Sequence, residues 1–134
     1  MNSSESQAAP RVGLLSPDLL VRSRVQAGLA GHGAQVEMIS GDELPGVFGL
    51  LLVDLNRDQE QRLAWLRRAI PTQPTAEVIC FGPHTEMAQL AGSAKAAGAT
   101  RCVANSHLAE TLQRWLRSGA ERRPDRGEQS LDQL

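Results

Sequence analysis

Phe48–Asp58 reads FGLLLVDLNRD, and the fold turns on this stretch. Leu50 to Val53 are apolar without alternation, and the run ends on an acid, Asp54. A short unbroken apolar run, bounded by Gly before it and polar residues after it, suits a strand covered on both faces. Such a strand belongs at the centre of a parallel sheet. Ligands and chemistry collect just beyond the carboxyl ends of parallel strands, so Asp54 stands where a site is expected.

The whole chain fits that start. Its 134 residues suffice for one domain that buries most of its apolar surface. A net charge of −1 gives no general attraction to nucleic acid or to an anionic membrane. No apolar run approaches the ~20 residues of a membrane span. The opening MNSSESQAA lacks the basic and apolar regions of a signal peptide, so a cytoplasmic location is expected. Cys80 and Cys102 fall in apolar runs without metal-site spacing and read as buried, reduced thiols. Every basic residue is Arg except Lys95.

In chain order, residues 1–10 read as a disordered lead, 11–118 as the folded domain and 119–134 as a charged tail. Arg11–Leu15 is a first strand. Ser16-Pro17-Asp18 reads as a helix start, with Ser16 as cap and Pro17 at the first helical position. Val21, Val25 and Leu29 supply that helix's stripe, and Ala34–Ser40 alternates like an edge strand. Gly41–Val47 contains Pro45 and Gly46 and is too short for an ordinary crossover helix, so the second helix is shortened or missing. A helix over about Gln59–Ile70, strands at Glu77–Phe81 and Thr100–Ala104, and a helix lined by Met87, Leu90, Ala91, Ala94 and Ala97 come next. Ser106 reads as the cap of a last helix striped by Leu108, Leu112, Trp115 and Leu116 and closed by Gly119. The result is an α/β class: a doubly wound sheet of five parallel strands.

LLLVDLN at Leu50–Asn56 and AAGATRCVANS at Ala96–Ser106, taken with this element order, resemble the receiver domain of bacterial response regulators. The resemblance covers about Arg11–Arg117. It implies the strand order 2-1-3-4-5 and places Asp54 on the family's phosphate-accepting aspartate. The family's acidic, Mg²⁺-holding pair falls on Leu15-Ser16-Pro17-Asp18, where only Asp18 can contribute. Mg²⁺ takes oxygen ligands in near-octahedral geometry, and Asp54 with a distant Asp18 is a poor cradle. The family's lysine is replaced by Asn105; Lys95 lies before that strand and cannot substitute. The small hydroxyl residue after the fourth strand is replaced by Gly82 or Pro83. Phosphoryl transfer depends on positioning and on cations at the phosphoryl oxygens, so Asp54 is expected to be a poor phosphoacceptor and no cofactor is expected.

The strand ends collect Ser16, Asp18, Asp54, Asn56, His84, Asn105, Ser106 and His107 into a polar crevice. One reading is an acid–base or Ser/His/Asp site. The plainer one makes Ser16 and Ser106 helix caps and has Asp54 accept from loop amides. Two others are a metal site of His84, His107 and Asp54, without helical ligand spacing, and an anion on helix N-termini at Ser16 and Ser106. His84 reads either as an ordinary exposed loop residue or, if it lies over Asp54, as half of a pH-sensitive ion pair.

In receivers, the face made by the fourth helix, fifth strand and fifth helix is a common partner or dimer surface. The resemblance puts Ala91, Lys95, Arg101 and Trp115 there, and Trp65, off its helix's stripe, is a candidate exposed anchor; the plainer reading of both tryptophans is partial burial between sheet and helix. The chain therefore reads as an atypical receiver-like signalling module that is not an enzyme, binds a protein partner or a second copy, and works without aspartyl phosphate. The alternatives are a response regulator phosphorylated at Asp54, and a small flavodoxin-like enzyme or ligand-binding protein. DNA binding is excluded by the lack of a basic stripe or helix-turn-helix segment, and no output domain is expected after the last helix.

Overall fold

The structure, a computed structural model, describes residues 10–40 and 44–122. The expected lead over residues 1–9 and most of the expected tail, 123–134, lie outside the described residues. Strands β1 (Arg11–Leu15), β2 (Gln35–Met38), β3 (Leu50–Asp54), β4 (Glu77–Gly82) and β5 (Arg101–Ala104) form one parallel sheet in the order β2-β1-β3-β4-β5. The α-helices among the described residues are α1 (Leu19–Ala30), α2 (Gln59–Ala69), α3 (Met87–Ala96) and α4 (Leu108–Arg122). This is the doubly wound sheet that the sequence implies.

All of β3 is buried. Leu50 and Leu52 pack with Val25 and Leu29 of α1 and Leu112 and Leu116 of α4. Leu51 and Val53 point the other way, into Leu63 and Leu66 of α2 and Leu90 and Ala94 of α3. Successive strand side chains alternate between faces, so a strand roofed by helices on both sides has no polar position until it ends. Gly13 in β1 lets Ile39 close over the sheet, since a Cβ there would collide with the Ile39 side chain.

Both tryptophans are core residues. Trp65 is 5% exposed beneath α2, and Trp115 is 8% exposed beneath α4. Neither is a surface anchor, which corrects the expected place of Trp115 on an open partner face. An indole buries 150–250 Å², and Trp115 falls on the same helical stripe as Leu108 and Leu112, so burial against the sheet wins. Nor does α4 close at Gly119; it continues to Arg122, an interior glycine costing a helix only about 1 kcal/mol.

The β2–β3 connection carries no helix over its described residues 44–49. Side chains from elsewhere hold it instead. Buried Gln73 accepts from Phe48 N at 2.7 Å and donates from Nε2 to Gly46 O at 2.7 Å. Arg11 donates from Nη1 to Pro45 O at 2.9 Å, lies 4.2 Å over the Phe48 ring, and pairs with Glu37 of β2 through two bonds of 2.8 and 2.9 Å. Gly46 meets two demands at once: its φ is +107°, and the Arg11 guanidinium occupies the space a Cβ would take.

Gln73→Ala strands the buried Phe48 N–H, while the exposed Gly46 carbonyl can turn to water, so a loss of roughly 1–3 kcal/mol is expected in urea denaturation, by the cost of an orphaned polar group. The Arg11 hydrogen bond holds the Glu37 carboxyl below its ordinary value of 4.5. The pair therefore stabilises the fold above that value and loses its contribution as pH falls through the lowered one. Wild type should exceed Glu37→Gln at neutral pH by less than about 1 kcal/mol, because the pair is partly exposed, and the gap should close in acid.

Candidate functional site at the end of β3

The register that pairs Leu15 with Val53 places the next residues, Ser16 and Asp54, side by side at the carboxyl edge. β1 and β3 flank the point where the strand order reverses, the usual place for a crevice in this topology. Asp54 is 3% exposed. Its Oδ2 accepts from the Ser16 hydroxyl at 2.6 Å, and its Oδ1 accepts from Asn56 N at 2.9 Å and Asn56 Nδ2 at 2.7 Å. Short O–H···O⁻ contacts of this kind are the strong, charge-assisted sort.

Ser16 is thus no helix cap. Its hydroxyl goes to the carboxylate while its Oγ accepts from Asp18 N at 3.1 Å, which leaves Asp18 to cap α1 by accepting from Leu20 N at 2.9 Å. A buried anion is the stronger claimant on a hydroxyl, because an unmet charge costs more than an unmet amide. Ser106 also differs from expectation: it is exposed within a 3₁₀ turn, Asn105–His107, two residues ahead of α4.

Asn105 occupies that turn and returns to the site. Its Nδ2 donates to Asn56 Oδ1 at 2.9 Å, and its Oδ1 accepts from Asn56 Nδ2 at 3.1 Å. This reciprocal amide pair ties the end of β3 to the end of β5. Arg62 of α2 braces the loop from below, donating from Nη1 to the carbonyls of Asp54 and Arg57 at 2.8 Å each, with Asp58 Oδ2 3.6 Å from its Nη2. Gln59 bridges Leu55 O and Glu86 at 2.8 and 2.9 Å, joining this loop to the turn after β4. Neither Arg62 nor Gln59 was singled out from the sequence; each reads there as one more polar residue on an exposed helix face.

Of the residues expected in the crevice, Ser16, Asp54, Asn56 and Asn105 form one hydrogen-bonded chain. Asp18 lines an open cleft of about 430 Å³ with Asp54, Pro17, Leu19, Asn56, Arg57 and Arg62. His84 sits exposed on the turn His84–Glu86, and among the described residues no ion pair joins it to Asp54. Lys95 and Arg101 are exposed, Ala91 is half-buried, and Arg101 Nε lies 3.5 Å from Glu77. Burial pushes the Cys80 thiol up to about 12, with the Cys102 charge adding to it, and both thiols are free.

A Mg²⁺ ion, which the fold's resemblance implies, does not fit these residues. Both Asp54 oxygens already accept hydrogen bonds, Ser16 and Pro17 stand where acids are needed, and among the described residues no group of three His, Cys, Asp or Glu is placed to hold a metal.

No family model matches the chain, and no curated protein sequence does. Solved structures do match. A response regulator from Thermotoga maritima superposes with a TM-score of 0.67 at 18% identity, over 81% of this chain and 98% of its own. A CheY-like protein (tadZ) from Pseudomonas aeruginosa PAO1 gives 0.67 at 19%, over 81% and 91%. The chain has the receiver fold. A CheY-like receiver domain protein from Methanospirillum hungatei JF-1 matches at 0.63 and 18%, over 85% and 98%. At such identities the likeness carries the receiver architecture, and the chemistry must come from the residues at the receiver site.

Ser16→Ala removes the donor at Asp54 Oδ2 and should cost roughly 1–3 kcal/mol in urea denaturation. In an Asp54→Asn background the same change should cost less, giving a non-zero coupling in a double-mutant cycle. Full additivity would separate the two residues energetically.

Proposed function

We propose that this protein is a receiver-fold signalling module that acts by binding another protein, without an aspartyl-phosphate switch and without catalysis of its own. The observation that supports it is Asp54 itself, 3% exposed with a donor on each oxygen. A phosphoacceptor must free one carboxylate oxygen to attack phosphorus, and cations must take up the charge on the transferred group. Among the described residues no cation is paired with the Asp54 carboxylate. The residue in place of the family's lysine, Asn105, is engaged with Asn56.

Two surface features favour protein binding. Leu19 and Leu20 at the start of α1 are 70% and 60% exposed, beside the Asp54 cleft. On the other side, α3 presents Ala88, Gly92, Lys95 and Ala96 to solvent, and nothing lies within 4 Å of where a Gly92 Cβ would be. Small side chains there allow a partner backbone or a second copy to approach closely. Support for the face of α3, β5 and α4 comes from these residues with Ala91 and Arg101, since Trp115 is buried beneath it.

An NMR titration with Mg²⁺ and then beryllofluoride is expected to leave the amides of Asp54, Asn56 and Asn105 unmoved, and acetyl phosphate to add no mass to the protein. Saturable shifts centred on Asp54 that vanish in Asp54→Asn would establish a phosphorylation switch instead.

A further inference from the structure

A second cleft, of about 400 Å³, opens between α1 and α4 on the sheet face away from α2 and α3. Its volume falls in the range of small-molecule sites, which are concave, mostly apolar and carry a few placed polar groups. Val25, Phe81 and Leu112 close its base at 1–2% exposure, and the apolar surface open to a ligand comes from Val21 of α1 and Ala109 of α4 on the walls. That shape suits a small molecule better than a protein, which needs a broader open patch.

The rim sets the charge. Arg24 from α1 and Arg57 from the loop after β3 converge on this cleft from separate elements. Both are exposed, and among the described residues neither has an ion pair, as is also true of Arg22, Arg67, Arg68 and Arg117; what sets Arg24 and Arg57 apart is that they line one cleft. The one acid on the rim, Asp18, already caps α1. Two unpaired guanidinium groups over an apolar floor favour an anion with an apolar body, since Arg pairs planar oxyanions through two parallel bonds.

We propose that the α1–α4 cleft is a binding site for a small organic anion, a carboxylate, sulfonate or phosphate ester on a flat apolar frame. The apolar frame lies between Val21 and Ala109, above the closed base of the cleft, and the anion sits between Arg24 and Arg57. Asn105 also lines the cleft, and through Asn56 it is hydrogen-bonded to the shell of Asp54. Occupancy is therefore felt at the end of β3. The site does not depend on Asp54 being silent towards phosphate.

Anilinonaphthalene sulfonate, which joins an aromatic frame to one sulfonate, is the probe. Followed by fluorescence and by NMR on the full chain, it should bind saturably, with shifts centred on Arg24, Arg57, Leu108 and the Asn56 and Asn105 side-chain amides. Phenylnaphthylamine, the same rings without the sulfonate, should bind roughly tenfold or more weakly, as should the probe to the Arg24→Gln/Arg57→Gln variant. Ala109→Phe, which fills the cleft from α4, should abolish binding; if it does not fold, the arginine variant alone decides. Shifts centred elsewhere, equal binding of the uncharged analogue, or an unchanged affinity in the arginine variant would each overturn the proposal. So would binding of an acidic peptide at the cleft when the probe does not bind.

Discussion

A carboxylate taken out of water must be met by donors, and Asp54 sets that requirement for the whole carboxyl edge of the sheet. Burying an unpartnered charge costs several kcal/mol, so the loops around Asp54 are shaped to feed it. Ser16 is diverted from capping a helix, Asn56 turns back on the strand it follows, and Asn105 holds Asn56 in place. Arg62, the nearby cation, binds main-chain carbonyls in place of the carboxylate. Each donor to the Asp54 carboxyl group among the described residues is uncharged: a hydroxyl, a main-chain amide and a side-chain amide.

Main-chain groups are also met by side chains from distant segments at the opposite end of β3. Where a doubly wound sheet usually crosses over with a helix, the described part of the β2–β3 connection is a loop whose polar backbone cannot satisfy itself. Gln73 and Arg11 do so from the loop after α2 and from β1. Trp65, Phe48 and Ile39 lie in one cluster on that face, so bulky side chains fill space beside the shortened connection.

The succession of strands and helices and the place of Asp54 were legible because they rest on local pattern, while the strand order came from the resemblance to receivers. Four apolar residues ending in an acid fix a buried strand and its exit, and the shortness of Gly41–Val47 rules out an ordinary helix. What was not legible depends on register between distant segments. Ser-Pro-Asp reads as a cap followed by a helix, and only the pairing of Leu15 with Val53 shows that Ser16 faces Asp54. Gln73 lies between Pro71 and Pro74, in what reads as a loop, yet is 3% exposed because its partners lie far back in the chain. Trp65 misled for a related reason: helical spacing gives the angle of a side chain, while its burial depends on what the opposing sheet leaves open; Trp115, by contrast, is buried where its stripe with Leu108 and Leu112 puts it.

The link between Asn56 and Asn105 is made of two amides, and neither carries a charge. An ammonium–carboxylate link across the same gap would weaken with added salt and would come and go with protonation. The amide pair does neither, so the span from β3 to β5 keeps one geometry across the ionic conditions a cell can offer. The ends of β3 and β5 are thus joined by a link whose strength is set by neither salt nor protonation.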